Sequence, residues 1–175
     1  MSVACFIRRF LVPRCGISLY YFIKFRCRVS TRAEVDLSPL LRVGRRSEIG
    51  SFTKIKASYG PLCIGRNCSI GSGCFISSGT GGLEIGDDCL ISPRVTILAN
   101  NYNYRRMDIP IGRQGCSSKG VRIGDNVWIG SGACILDGSR IGPGVIVTPN
   151  SVVSGKIPAN AIVQGNPAKV IFTRR

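Results

Sequence analysis

The stretch "KGVRIGDNVWIGSGACILDGSRIG", Lys119 to Gly142, places isoleucine at Ile123, Ile129, Ile135 and Ile141, one every six residues. Three of the four are followed by glycine: Gly124, Gly130 and Gly142. A period of six fits neither an amphipathic helix nor a single hairpin strand. It fits a coil in which each hexad supplies one short strand and one corner. The aliphatic side chain points inward, and three hexads close a triangle.

Outward from this stretch the rhythm continues. Aliphatic residues fall at Leu37, Val43, Ile49 and Ile55, then at Ile64, Ile70 and Ile76, then at Ile85, Ile91 and Ile97, and finally from Ile123 to Val147 and Val153. That is sixteen hexads in four blocks, with steps of nine, nine and twenty-six residues between blocks. Glycine also follows Val43, Ile49, Ile64, Ile70 and Ile85, which suggests corners that need a positive φ. The fifth position of each hexad is small, as at Ser47, Thr53, Cys68, Cys74, Thr80, Cys89 and Ala133, with Tyr59 as the exception. One coil cannot bury its inner face alone, but about five stacked coils can.

Composition limits the function classes. The chain has 175 residues, 22 of them glycine, and a net charge of +15. Residues 1–46 hold ten Lys/Arg against Glu34 and Asp36. Such a balance suits anionic lipid or a polyanionic small molecule; no nucleic-acid motif accompanies it, so no nucleic-acid partner is expected. Nine cysteines occur without a CxxC, and the chain has no histidine. A zinc or disulfide framework is therefore not expected, no metal is implied, and a reducing, cytoplasmic compartment fits. The opening "MSVACFIRRFLVPRCGISLYYFIKFRCRVS" mixes apolar and basic residues. No run in it approaches the roughly 20 residues of a membrane span. It reads either as an amphipathic segment lying on a surface or as a cap packed on the main domain.

The pattern resembles the left-handed hexapeptide-repeat acyltransferases, and within them the sugar O-acetyltransferases related to maltose, galactoside and nodulation-factor acetyltransferases. The residues that carry the resemblance are "IGDDCLISPRVTI" (85–97), "DIPIGRQG" (108–115), "KGVRIGDNVWIGSGACILDGSRIG" (119–142) and "IPANAIVQGNPAKVI" (157–171). The implied fold is all-β, a left-handed parallel β-helix over 37–157 with a loop ejected at 99–121. The first 35 residues carry little of the resemblance; 1–36 is expected to be a basic, apolar N-terminal segment that forms a short cap, and 158–175 a C-terminal tail. The implied activity is transfer of an acetyl group from acetyl-CoA to a sugar hydroxyl in surface polysaccharide synthesis. The implied assembly is a homotrimer, with the site between two subunits and the ejected loop as one wall. A peripheral membrane contact through residues 1–30, at the inner face of the cell membrane, is compatible with that function.

The resemblance also assigns residues. The family's catalytic base is a histidine shortly after the aliphatic residue that opens the loop; its place falls on Tyr102, preceded by Asn100 and Asn101. Asp108 and Trp128 fall on the acceptor side. Ser131, Pro149, Ser154 and Lys169 fall along the cofactor side, with Arg174 and Arg175 as further charge for its phosphates. The family's threonine–lysine pair is broken here, since Gly155 stands between Ser154 and Lys156. Histidine titrates near 6.5, whereas tyrosine as a residue type titrates near 10, so about one tyrosine in a thousand is phenolate at pH 7. Three readings follow. Tyr102 or a carboxylate such as Asp108 acts as base; or the enzyme works slowly by positioning; or the domain is a catalytically silent trimeric scaffold. The zinc carbonic anhydrases of similar fold need three histidine ligands and are excluded. Cys116 lies in the loop with no base beside it, so a thiol nucleophile is not expected.

Overall fold

The computed structural model describes residues 14–175 of the chain; residues 1–13 of the expected N-terminal segment lie outside the described residues. The chain winds as a left-handed parallel β-helix of about six coils, a triangular prism whose sides are three parallel sheets. Face one carries inward Val29, Ile49, Ile70, Ile91, Ile129, Val147 and Val163 in register. Face two carries Val35, Ile55, Ile76, Ile97, Ile135 and Val153. Face three carries Val43, Ile64, Ile85, Ile123, Ile141 and Ile157. These columns are buried and make a single core. Each such side chain contributes roughly 1.5–3 kcal/mol by leaving water.

The register corrects the sequence reading at both ends. Val35, not Leu37, stands opposite Ile55, and the first coil already includes Arg28–Val29 and Glu34–Val35. Beyond Ile157 the strand Ala161–Gln164 opens a seventh coil, and Lys169–Thr173 folds back antiparallel on it. The reason lies in the corners. Steps from face one to face two, and from face three to face one, are six residues throughout. From face two to face three they run eight, nine, nine, twenty-six, six and four, beginning with Val35 to Val43 and ending with Val153 to Ile157. Counting back six from Val43 crosses the one corner whose length varies. At the two nine-residue corners Ala57 and Ser78 are the buried small residues, while Tyr59 and Thr80 are exposed.

The corner glycines have a different cause from the one expected. Gly44, Gly65, Gly124 and Gly130 do not have positive φ; the left-handed residues fall two later, at Arg46, Asn67, Asn126 and Gly132. What excludes a side chain at the glycine is the next coil. A Cβ on Gly65 would lie 2.4 Å from the Gly86 carbonyl oxygen, and one on Gly130 would lie 2.5 Å from the Pro149 nitrogen. The small residues that follow tie coil to coil. The Ser47 hydroxyl donates to the Gly65 carbonyl at 2.8 Å, Thr53 to Gly71 at 2.6 Å, and the Cys68 thiol to Gly86 at 3.1 Å. The eight described cysteines are all free thiols. Burial pushes the thiols of Cys27, Cys74 and Cys134 up, so they are packing residues and weak donors rather than nucleophiles.

The N-terminal end is closed by helix α1 (Arg14–Phe25), the segment read as a cap. Tyr21 is buried and its hydroxyl donates to the Asp36 carbonyl at 3.1 Å. Ile17 and Phe25, four residues to either side on the same helix face, pack on the core with it. No helix among the described residues is long and apolar enough to cross a membrane.

Gly65→Ala should destabilise the fold by about 3 kcal/mol, because the added methyl meets backbone that cannot move aside. Gly112→Ala, with nothing within 4 Å of its Cβ, should stay within about 0.5 kcal/mol. Denaturant unfolding of the two variants compares them directly.

Candidate functional site

The twenty-six-residue step leaves the prism at the edge between faces two and three and returns to the same edge. Ala99 is buried, and so is Val121. Between them the chain stands off as an arm whose base is an antiparallel hairpin of Asn101–Tyr102 against Cys116–Ser117. A single turn of 3₁₀ helix, Ile111–Arg113, follows Pro110. The arm is braced from within. Gln114 accepts from the Arg106 amide at 3.0 Å and donates to the carbonyls of Arg106 at 2.7 Å and Ile109 at 3.1 Å. Asn103 donates to the Gln114 carbonyl at 3.1 Å.

Its two roots rest on seats that the sequence reading missed. A Cβ on Gly79 would lie 2.3 Å from the Ala99 carbonyl oxygen and 2.9 Å from the Asn100 Cβ. One on Gly81 would lie 2.6 Å from the Gly120 nitrogen. The Ser118 hydroxyl ties the roots together, donating to the Ala99 carbonyl and accepting from the Gly81 amide. The coil above adds Asp137, whose carboxylate accepts from the amides of Lys119 and Gly120 at 2.9 and 2.8 Å. Arg140 donates to the carbonyls of Gly120 and Lys119 at 2.7 and 2.8 Å. The signal was present as "SSGTGG" (77–82), but only the register shows that these glycines lie beneath the arm.

The expected site residues fall on separate parts of the prism. Asn100 is half-buried at the arm's root; Asn101 and Tyr102 are exposed on the hairpin, Tyr102 at 60%. Asp108 lies in the arm and is ion-paired with Arg106. That guanidinium holds the Asp108 carboxyl below the usual carboxylate range, which makes it a poorer proton acceptor than a free carboxylate. Ser154 is on the same edge as the arm, two coils higher, and exposed. Ser131 and Pro149 are on the edge between faces one and two, stacked where Gly130 leaves room for the Pro149 ring. Lys169 pairs with Gln164 at the end of face one. Arg174, expected near phosphates, donates to the Gly144 carbonyl at 2.8 Å.

Trp128, expected on the acceptor side with Asp108, does not lie beside the arm of its own chain. It points outward from face one, between Leu90 and Ile146 in neighbouring strands, and its indole N–H donates to the Ser92 hydroxyl at 3.1 Å. Face one is opposite the edge that bears the arm. The chain returns from the arm through face three before reaching Trp128, so closeness in sequence is not closeness in space. Tyr102 and Trp128 of one chain therefore face away from each other. Two grooves flank helix α1, and neither is lined by residues of the arm.

Comparison with known proteins bears out the repeat and the fold. Residues 120–155 match the family model described as bacterial transferase hexapeptide (six repeats), and residues 61–99 match hexapeptide repeat of succinyl-transferase. WbbJ of Escherichia coli K12, named as a lipopolysaccharide biosynthesis O-acetyl transferase, is 39% identical over 89 residues, which is 47% of this chain and 45% of WbbJ. The chain thus spans less than half the length of that relative. Among solved structures, a variant of AntD, an N-acyltransferase of Bacillus cereus, in complex with dTDP and coenzyme A, superposes with a TM-score of 0.78 at 23% identity. It covers 90% of this chain and 89% of AntD. The acetyltransferase domain of PglB from Neisseria gonorrhoeae superposes with a TM-score of 0.63 at 20% identity, covering 91% of this chain and 66% of that one. These likenesses concern the fold.

Gln114→Ala should loosen the arm without loosening the prism. Exchange of the Arg106 amide should quicken about tenfold, the equivalent of one lost hydrogen bond, while global unfolding changes by less than about 0.5 kcal/mol. Hydrogen exchange alongside thermal unfolding measures both.

Proposed function

We infer that this chain, a hexapeptide-repeat protein of the left-handed β-helix class, transfers an acetyl group from acetyl-CoA to a hydroxyl of a sugar in a surface polysaccharide or its precursor. The observation that carries this reading is the braced arm, which holds Asn101 and Tyr102 in the open between repeats of transferase type. The partial identity with WbbJ favours oxygen over nitrogen as the acceptor atom.

In this reading the acceptor hydroxyl oxygen attacks the thioester carbonyl carbon. The C–S bond breaks, and the hydroxyl proton ends on the departing CoA sulfur. Asn100 and Asn101 hold the acceptor, and the Tyr102 phenol oxygen relays its proton. Asp108, bound to Arg106, orients rather than titrates. Ser131 and Pro149 line the pantetheine path, Ser154 and Lys169 lie towards the nucleotide, and Trp128 packs against the acceptor. The reaction needs no imidazole in principle. Positioning alone supplies up to ~7–11 kcal/mol, and a general base adds a factor on the order of 10²–10⁴.

The same geometry asks for more than one copy. Because Tyr102 and Trp128 lie on opposite sides of one prism, a site that uses both takes the arm from one copy and face one from another. A homotrimer satisfies this with identical seams. Residues 1–30 are the segment we assign to peripheral contact with anionic lipid.

A second reading, a silent scaffold, is favoured by one observation: the chain contains no histidine at all. Release of free CoA thiol decides between them. With a suitable sugar acceptor the expected outcome is turnover that depends on acceptor concentration. Acetyl-CoA binding without release, across a broad acceptor panel, would support the scaffold. Tyr102→Phe should lower kcat about 10²-fold with KM little changed. Sedimentation should give the mass of three chains.

A further inference from the structure

Helix α1 is apolar on both sides. Ile17, Tyr21 and Phe25 face the prism. Leu19, Phe22 and Ile23, spaced i, i+3, i+4, lie on the side away from Tyr21 and are 57%, 59% and 71% exposed; Leu19 and Phe22 also border a groove that runs beside face one to Ser72. Exposed large apolar side chains grouped on one helix face mark a contact surface. At twelve residues the helix is about 18 Å long, too short to span a bilayer core of ~30 Å.

The surroundings of this face say what covers it. Lys24, Arg26, Arg32, Arg42, Arg45 and Arg46 are all exposed, on the helix, the link after it and the first coil beneath it. None of the six lies within ion-pair range of a carboxylate among the described residues. Arg32 lies over the exposed ring of Phe52, 5.9 Å from its centroid, adding apolar surface to the same end. A second copy docked through this face would set cations against cations, which opposes association. Nucleic acid would neutralise the charge but leave the apolar face uncovered. A bilayer with anionic headgroups satisfies both, taking the apolar face to the acyl boundary and the cations to the headgroups.

We propose that the outer face of α1 and the cationic rim of the first coil form a docking surface for an anionic lipid bilayer. This deepens the peripheral contact assigned above and does not depend on the acyl transfer. The arm leaves from the fourth coil, three coil spacings or roughly 15 Å beyond the first. That separation suits a saccharide whose lipid carrier stays in the membrane.

The test is cosedimentation of the full chain with vesicles of phosphatidylcholine, with and without phosphatidylglycerol. Binding is expected only with the anionic lipid, weakening as salt rises. The double variant Leu19→Ser/Ile23→Ser should bind about tenfold more weakly with an unchanged melting temperature. Lys24→Gln/Arg26→Gln should bind more weakly and lose part of the salt dependence, a readout that serves if the first variant misfolds. Phe172→Ser, an exposed site on the last strand, should bind as the parent does. Equal binding to neutral vesicles, no binding, retention by both helix variants, or loss with Phe172→Ser would each overturn the proposal. CoA release with a water-soluble acceptor, run on the same variants, should be unaffected, so a failure of docking is separable from a failure of transfer.

Discussion

The whole prism depends on how closely one coil lies on the next. Parallel strands stack about 4.8 Å apart, and at the turn after each inward aliphatic residue the backbones approach until no Cβ fits. The would-be contacts of 2.4 Å at Gly65 and 2.5 Å at Gly130 mark that limit. Aliphatic columns inside draw the coils together; glycine at the corner allows the approach. The hydroxyls of Ser47 and Thr53 and the thiol of Cys68 then tie one coil to the next through its carbonyls. Each of these features makes sense only beside the others, since a coil held farther away would open the core and break the corner bonds at once.

That constraint also decides where the fold can vary. Two of the three edges keep six residues per step along the entire solenoid, because each ends in a tight corner with a left-handed residue, as at Asn67 and Asn126. All length changes collect on the third edge. The arm is the longest of these changes, and it leaves the stack undisturbed: Ile97 and Ile123 keep their columns, in register with Ile135 and Ile141. Gly79, Gly81, Asp137 and Arg140 fix its roots from the coils on either side. Gln114 fixes its tip from within. The prism thus supplies a rigid base, and the arm is where the chain departs most from it.

The rhythm of isoleucines carried the fold class, and the twenty-six-residue step carried the arm. What the sequence did not carry was phase wherever a corner varied. Leu37 sits six before Val43, yet Val35 takes the column because that corner holds eight residues. Tyr59 and Thr80 occupy the fifth position by counting, yet Ala57 and Ser78 are the buried ones. Glycine was legible as a corner signal but not its cause, since a short contact to the next coil leaves no mark in local sequence. The separation of Tyr102 from Trp128 was hidden for a similar reason. Twenty-six residues apart in the chain, they are placed by the turn of the coil rather than by distance along it. Helix α1 was legible as a cap, but not its second, outward apolar face.

The missing imidazole is best weighed against this rigidity. A general base is worth about 10²–10⁴ in rate, some 3–5 kcal/mol, whereas holding two reactants in attack geometry is worth up to about 7–11 kcal/mol. The gain from positioning depends on how well the site is fixed, and here the fixing elements are intact. The arm's roots are seated on backbone, and its tip is braced by three hydrogen bonds from one glutamine. Asp108 is held by Arg106, which keeps its carboxyl below the usual carboxylate range. Bracing of this kind offsets the conformational entropy lost on ordering a loop of this length, so the arm presents a fixed surface whatever it meets. On the proposed reading, the braced arm suits a transferase that works by placing its reactants, in a chain without histidine.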